Sequence, residues 1–178
     1  MRVVAGDLGG RTFDSPRTNR THPMSERIRG AIFSVLGDIT GLTVLDAFSG
    51  SGALGIEAVS RGAASVVSIE NDPSAQRAIK DNIRRLDIGR TMRLIRAGLY
   101  GWSQNNPDSQ FDLVLADPPF DELQMLTLQA LAKHVNEGGL LVLCWPGAER
   151  LPDIKGINLI ETKTYGDAQV GFYRRQAD

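Results

Sequence analysis

Asp117-Pro118-Pro119-Phe120 puts a carboxylate, a rigid proline pair and an aromatic ring into four consecutive residues. That set suits chemistry on an exocyclic amine of a planar base. Such an amine is a poor nucleophile because its lone pair is delocalised into the ring. Two acceptors, each taking one N–H, favour a pyramidal nitrogen whose lone pair points outward. Asp117 can supply one acceptor as a carboxylate and Pro118 the other as a backbone carbonyl. Consecutive prolines hold that carbonyl in a fixed direction, which is preorganisation. Phe120 can stack on the ring, an interaction of about 1–3 kcal/mol per base. Asp117 also stabilises the positive charge that develops on nitrogen and can take the proton.

Asp46-Ala47-Phe48-Ser49-Gly50-Ser51-Gly52-Ala53-Leu54-Gly55 is the second constellation. Its glycines allow a sharp turn and close approach to a ligand, at the amide-rich start of a helix. Glu70 follows Gly52 by 18 residues, a spacing at which a carboxylate can hold ribose hydroxyls. Gly50–Gly55 matches the dinucleotide pattern G-x-G-x-x-G, so a nicotinamide-dependent oxidoreductase is one reading. Asp46 separates the alternatives. A pyrophosphate gains nothing from a neighbouring carboxylate, whereas the ammonium and sulfonium of S-adenosylmethionine do. The expected cofactor residues are Asp46, Phe48, Ser49, Gly50, Gly52, Glu70, Asn71 and Leu99. Gly98 stands where many methyltransferases carry an Asp or Asn for the adenine amine, which leaves adenine to backbone groups and apolar neighbours such as Leu99.

Regular alternation of strands and helices must place these residues. Thr43–Asp46, Ser65–Glu70, Met92–Arg96, Phe111–Ala116 and Gly138–Trp145 read as strands. Helices are expected from about Gly52 to Arg61, from Pro73 to Leu86 and over Glu122–Val135, with His134 late in the last. Two final strands, near Ile157–Tyr165 and Gln169–Arg174, flank a Gly166-Asp167 turn and should pair antiparallel. Such α/β patterns give a mostly parallel sheet covered on both faces, with ligands beyond the carboxyl ends of the strands. Ahead of this body, Arg2–Ala5 and Arg11–Phe13 can form a hairpin, and Ser25 caps a helix over Glu26–Leu36. The expected division is an extension at 1–40 and a catalytic domain at 41–178.

The 178 residues carry a formal net charge of −1, which excludes a uniformly basic nucleic-acid binder. Residues 1–35 nonetheless hold Arg2, Arg11, Arg17, Arg20, Arg27 and Arg29 against Asp7, Asp14 and Glu26, a local excess suited to phosphate. Cys144 is the one cysteine and sits in an apolar run, so packing and a reducing cytoplasm are expected. His22 and His134 do not cluster with it at metal-ligand spacing, and no metal is expected. No secretory signal is expected, and no apolar run reaches membrane-spanning length.

These motifs, with Met1–Gly6, Gly10-Arg11, Pro23-Met24-Ser25-Glu26-Arg27-Ile28-Arg29, Phe33 and Tyr165-Gly166, resemble the RsmD family of 16S rRNA (guanine(966)-N(2))-methyltransferases over nearly the whole chain. Met24 departs from the usual threonine. The resemblance implies a class I, Rossmann-like methyltransferase fold with a seven-stranded sheet, a short N-terminal hairpin and an antiparallel C-terminal hairpin. It implies S-adenosylmethionine as donor, S-adenosylhomocysteine as product, and guanine N2 of small-subunit ribosomal RNA as acceptor. A cytoplasmic monomer acting on 16S rRNA or the small subunit is the matching expectation. Arg11, Arg17, Arg20, Arg27 and Arg29 would then contact RNA, while Thr18–Pro23 can fold over the cofactor. Methylation of DNA adenine N6 or of a protein glutamine amide uses a similar acidic or amide residue followed by two prolines and an aromatic. A non-catalytic RNA-binding or assembly module is a further alternative.

Overall fold

The computed structural model describes residues 1–16, 24–119 and 125–176. Phe120, Arg17, Arg20 and the Thr18–Pro23 segment lie outside the described residues.

Local chemistry starts and stops the helices. Ser25 accepts a hydrogen bond from the Ile28 amide and opens α1 (Glu26–Leu36), and Gly37 ends it with φ 73°. α2 (Ala53–Ser60) follows β1 (Thr43–Asp46). β2 (Ser65–Glu70) leads to α3 (Pro73–Leu86), where the Asp72 carboxylate accepts from the Ser74 and Ala75 amides and proline takes the first turn. Next come β3 (Met92–Arg96), α4 (Leu99–Asn105) and β4 (Phe111–Ala116). α5 (Met125–Ala132), β5 (Val135–Pro146), β6 (Asn158–Tyr165) and β7 (Ala168–Arg174) complete the chain.

The sheet order is β3-β2-β1-β4-β5-β7-β6. The first five strands are mutually parallel, and β7 runs antiparallel between β5 and β6. Alternate residues feed two hydrophobic clusters. Val44, Leu113 and Leu115 pack with Ile32, Phe33, Ile56 and Ile79 of α1–α3. Leu45, Val114 and Ala116 pack with Leu99, Trp102, Leu128 and Leu131 of α4 and α5. The strand order reverses between β1 and β4, so the crevice for a ligand opens at their carboxyl ends.

Three expectations need correction. α4 has no counterpart in the sequence reading. The helix expected to reach Val135 ends at Ala132, and Val135 pairs with Phe111 in β5. His134 is therefore not a helix residue. Its buried ring sits in a turn, with Nδ1 2.6 Å from the Ser109 carbonyl oxygen and Nε2 2.7 Å from Ser103 Oγ. These two bonds fix the ring between elements. At the N-terminus, the hairpin is one antiparallel bridge, Arg2 to Thr12, with Val3 and Phe13 donating to Arg11 and Met1 carbonyls.

Candidate active site

β1 and β4 are hydrogen-bonded neighbours, so Asp46 and Asp117 emerge side by side at the reversal of the sheet. The turn after β1 is built from left-handed glycines, Gly50 at φ 53° and Gly52 at φ 77°. Gly55 is needed for another reason. A Cβ there would lie 2.9 Å from Asp46 Oδ2 and 3.0 Å from Ser68 Oγ, so only glycine lets α2 lie flush on the strands.

Asp46 is 1% exposed. Its Oδ2 accepts from the Gly55 amide at 3.2 Å and from Ser68 Oγ at 3.4 Å. Burial pushes its carboxyl up to about 7, and the nearby charges of Glu70 and Asp117 push the same way, against the hydrogen bonds from Gly55 and Ser49. Among the described residues no cation forms an ion pair with Asp46. A carboxylate already seated at the start of α2 also repels a pyrophosphate there, which counts against the dinucleotide reading.

Glu70 closes β2 and is partly exposed. Its carboxylate accepts from Gly50 at 2.7 Å and from Asn71 and Asp72 amides at 2.8 Å each. The carboxylate thus ties the β1 turn to the end of β2. Phe48 of the turn and Ile95 and Ala97 at the end of β3, all partly buried, pack against the cluster that contains Leu99. A Cβ added at Gly98 would meet nothing within 4 Å, so open space lies where an adenine-contacting side chain is absent. The chemistry of this set fits S-adenosylmethionine: a buried carboxylate without an ion-pair partner for cationic groups, a carboxylate for ribose, and apolar side chains for a purine.

Asp117 is partly exposed, Pro118 buried and Pro119 exposed. Burial raises the Asp117 carboxyl to about 6, opposed by a hydrogen bond from the Cys144 thiol. Cys144 is a contact that the sequence reading assigned to packing. Ala116 pairs with Leu143, so the next residues on these parallel strands, Asp117 and Cys144, are neighbours. Burial, the Asp117 charge and their hydrogen bond push the thiol well above its usual range. Only the register between β4 and β5 could have revealed this pair.

Arg29 requires a further correction. It is fully buried, not available to RNA. Its Nε lies 3.4 Å from Glu57 Oε2, and it donates to the Arg2 carbonyl at 2.5 Å and to the Met24 carbonyl. Arg11 is exposed, but its guanidinium donates to the Leu86 and Arg85 carbonyls at the end of α3. Arg27 is exposed on α1.

Residues 1–174 match the protein family described as conserved hypothetical protein 95, the family of RsmD. The chain belongs to this family. It is 28% identical to "Putative rRNA methyltransferase YlbH" of Bacillus subtilis, over 99% of this chain and 100% of that protein. It is 31% identical to "Ribosomal RNA small subunit methyltransferase D" of Escherichia coli, over 67% of this chain and 60% of that one. The solved structure of "Putative methyltransferase yhhF from Escherichia coli" superposes with a TM-score of 0.88 at 27% identity, covering 100% of this chain and 99% of that one. The seven-stranded sheet is that of the class I, Rossmann-like methyltransferases.

Proposed function

We propose that this RsmD-family protein transfers a methyl group from S-adenosylmethionine to the N2 amine of a guanine in small-subunit ribosomal RNA. The observation that carries the reading is the pairing of β1 with β4. It sets the Asp117-Pro118 acceptors beside the Asp46–Gly52 turn, with Glu70 one strand further. The names of the relatives support ribosomal RNA as the substrate class, and the family resemblance supports guanine N2. S-adenosylmethionine, when bound, supplies a methyl group activated by attachment to a sulfonium.

The residues divide the work by position. Asp46 holds the glycine turn against α2 and contributes negative charge from a buried site. Glu70 binds ribose hydroxyls with the capacity its backbone partners leave free. Phe48 and Leu99 flank the purine. Asn71 lies beside Glu70 at the ribose end. Asp117 and the Pro118 carbonyl each accept one N–H of the target amine, and Asp117 takes up the proton that the amine must lose. Pro119 keeps the Pro118 carbonyl rigid, and Phe120 stacks on the base. Since the reaction is an in-line displacement, positioning supplies much of the acceleration. Arg11 and Arg27, with Arg17 and Arg20, serve phosphate contact, which orients RNA without reading its sequence. Residues 1–40 act as the RNA-facing extension and 41–178 as the catalytic domain of a cytoplasmic monomer.

The test is methyl transfer from labelled S-adenosylmethionine to small subunits from cells lacking the mark, with duplex DNA and release factor as alternatives. Label confined to one guanine N2 of 16S rRNA is expected. Label in DNA or protein only would replace this reading.

A further inference from the structure

Residues 77–96 hold six arginines and Lys80 against Asp81 and Asp87, a local charge of +5. The whole chain carries −1, so the remaining residues sum to −6. This excess is larger than that of the N-terminal extension, where Arg29 is buried and Arg2 pairs with Glu26. All seven side chains are exposed. Arg84 pairs with Asp81 and Arg85 with Asp14, while among the described residues the other five make no ion pair. The fold puts the charge in line. Arg77, Lys80 and Arg84 share the face of α3 opposite its buried Ala75, Ile79 and Leu86, a stripe with a rise of about 10 Å. α3 leaves the end of β2 and returns to the start of β3, so Arg77 lies towards the candidate active site and Arg84 away from it. Arg96 closes β3 in register with Glu70, which sets a cation at the rim of that site. Arg11 extends the stripe at its far end, held by the carbonyls of Arg85 and Leu86.

We propose that the outer face of α3, with Arg96 and Arg11 at its two ends, is a docking surface for the sugar-phosphate backbone of the RNA substrate, away from the target nucleotide. Arginine predominates, and its planar fork matches phosphate oxygens. A protein partner would need buried aromatic or aliphatic anchors. The exposed large hydrophobic side chains of the described residues all lie outside 77–96. Contacts of this kind fix where the RNA lies and carry no sequence information. The inference rests on the RNA-methylation reading above.

The test is the triple variant Arg77→Gln, Lys80→Gln, Arg84→Gln, which changes exposed helix positions only. It should melt within about 2 °C of wild type and bind S-adenosylhomocysteine equally well. Its KM for mark-deficient small subunits should rise about tenfold, with kcat within twofold. The slope of log affinity for those subunits against log salt should shrink by about 2–3, near one per lost phosphate contact. Lys133→Gln, Lys155→Gln, Arg174→Gln removes the same charge from exposed positions elsewhere on the fold and should leave KM and slope as in wild type. Equal losses in both triple variants would reduce the effect to net charge and overturn the inference. So would an unchanged KM and slope in the α3 variant, a loss of cofactor affinity alongside RNA affinity, or competition by polyglutamate as strong as by RNA, which would assign the face to an acidic protein. Wild type that labels no RNA overturns the methyl-transfer reading, and the salt slope of RNA binding then still decides this inference.

Discussion

Two aspartates at adjacent strand ends differ in surroundings and therefore in duty. Asp117 is partly exposed, touches the Cys144 thiol and has its carboxyl raised to about 6. In the proposed reaction it must be ionised to accept the amine N–H. The rate of transfer should therefore be flat above pH 6 and fall about tenfold per unit below it. Single-turnover transfer of labelled methyl between pH 5 and 8 measures this. Asp117→Asn removes the charge while keeping the shape. It should lower the rate by about two to three orders of magnitude, remove the acid limb and leave cofactor affinity within a few-fold. Asp46 has its carboxyl raised to about 7, above the value of 3.8 for a free aspartate. Between those values the folded state binds more protons than the unfolded state, so this group destabilises the fold as pH rises from 4 to 7 and remains unfavourable above. Asp46→Asn should then raise stability at pH 8, by at most about 4 kcal/mol, while weakening S-adenosylmethionine binding. Melting curves and calorimetry on the variant check both signs. A loss of stability with no change in affinity would show that Asp46 matters through its bond to Gly55 alone. The placement of Asp117 and Asp46 at strand ends is readable from residue type and spacing, whereas the thiol beside Asp117 is not, because it depends on which strand is adjacent.

At the scale of elements, α4 shows how a helix escapes sequence patterns. Leu-Tyr-Gly-Trp-Ser-Gln-Asn spans two turns, contains Gly101 and starts from Gly98, which offers no capping side chain. It forms because Leu99 and Trp102 bury against Leu128 and Leu131 of α5 and against the sheet. The helices with side-chain caps, α1 behind Ser25 and α3 behind Asp72, were legible to the residue. Tertiary contacts override weak local preference in α4. The same cap predicts an improvement. Gly98 has φ −72° and ψ 133°, which any residue tolerates, and open space around its Cβ position. Gly98→Asp should cap α4, adding about 1 kcal/mol of stability. It also brings a carboxylate towards the proposed adenine amine, so cofactor affinity should rise several-fold. Thermal melting and titration with S-adenosylhomocysteine test the two effects separately. Greater stability with unchanged affinity would remove Gly98 from the adenine slot.

At the scale of the whole molecule, Glu57 joins the N-terminal segment to the body of the α/β fold. Its carboxylate is fully buried in α2 and accepts from Arg29, from Arg61 at 2.8 Å and from the Val4 and Ala5 amides at 2.9 and 3.1 Å. Val3 and Phe13 of the extension and Ile32 and Phe33 of α1 lie in the same hydrophobic cluster as Leu54 and Ile56 of α2. Removing one partner of a buried ion pair leaves the other charge uncompensated. Glu57→Ala should therefore destabilise by about 3–5 kcal/mol, seen in urea unfolding, and release protection of the Val4 and Ala5 amides in hydrogen exchange. Loss of stability without loss of that protection would show that packing, not Glu57, fastens the extension.

What the sequence determined by itself was the alternation of strands and helices, the glycine turn after β1 and the acidic proline motif after β4. Each depends on residues close together in the chain, where periodicity, caps and turn chemistry act. What only the tertiary structure decided was which of these motifs become neighbours and what every side chain meets. Arg29 reads as one more surface cation until α2 brings Glu57 to it. Cys144 reads as part of an apolar run until the β4–β5 register sets it beside Asp117. Charge burial and donor pairing are properties of contacts between residues far apart in the chain, so no local pattern records them.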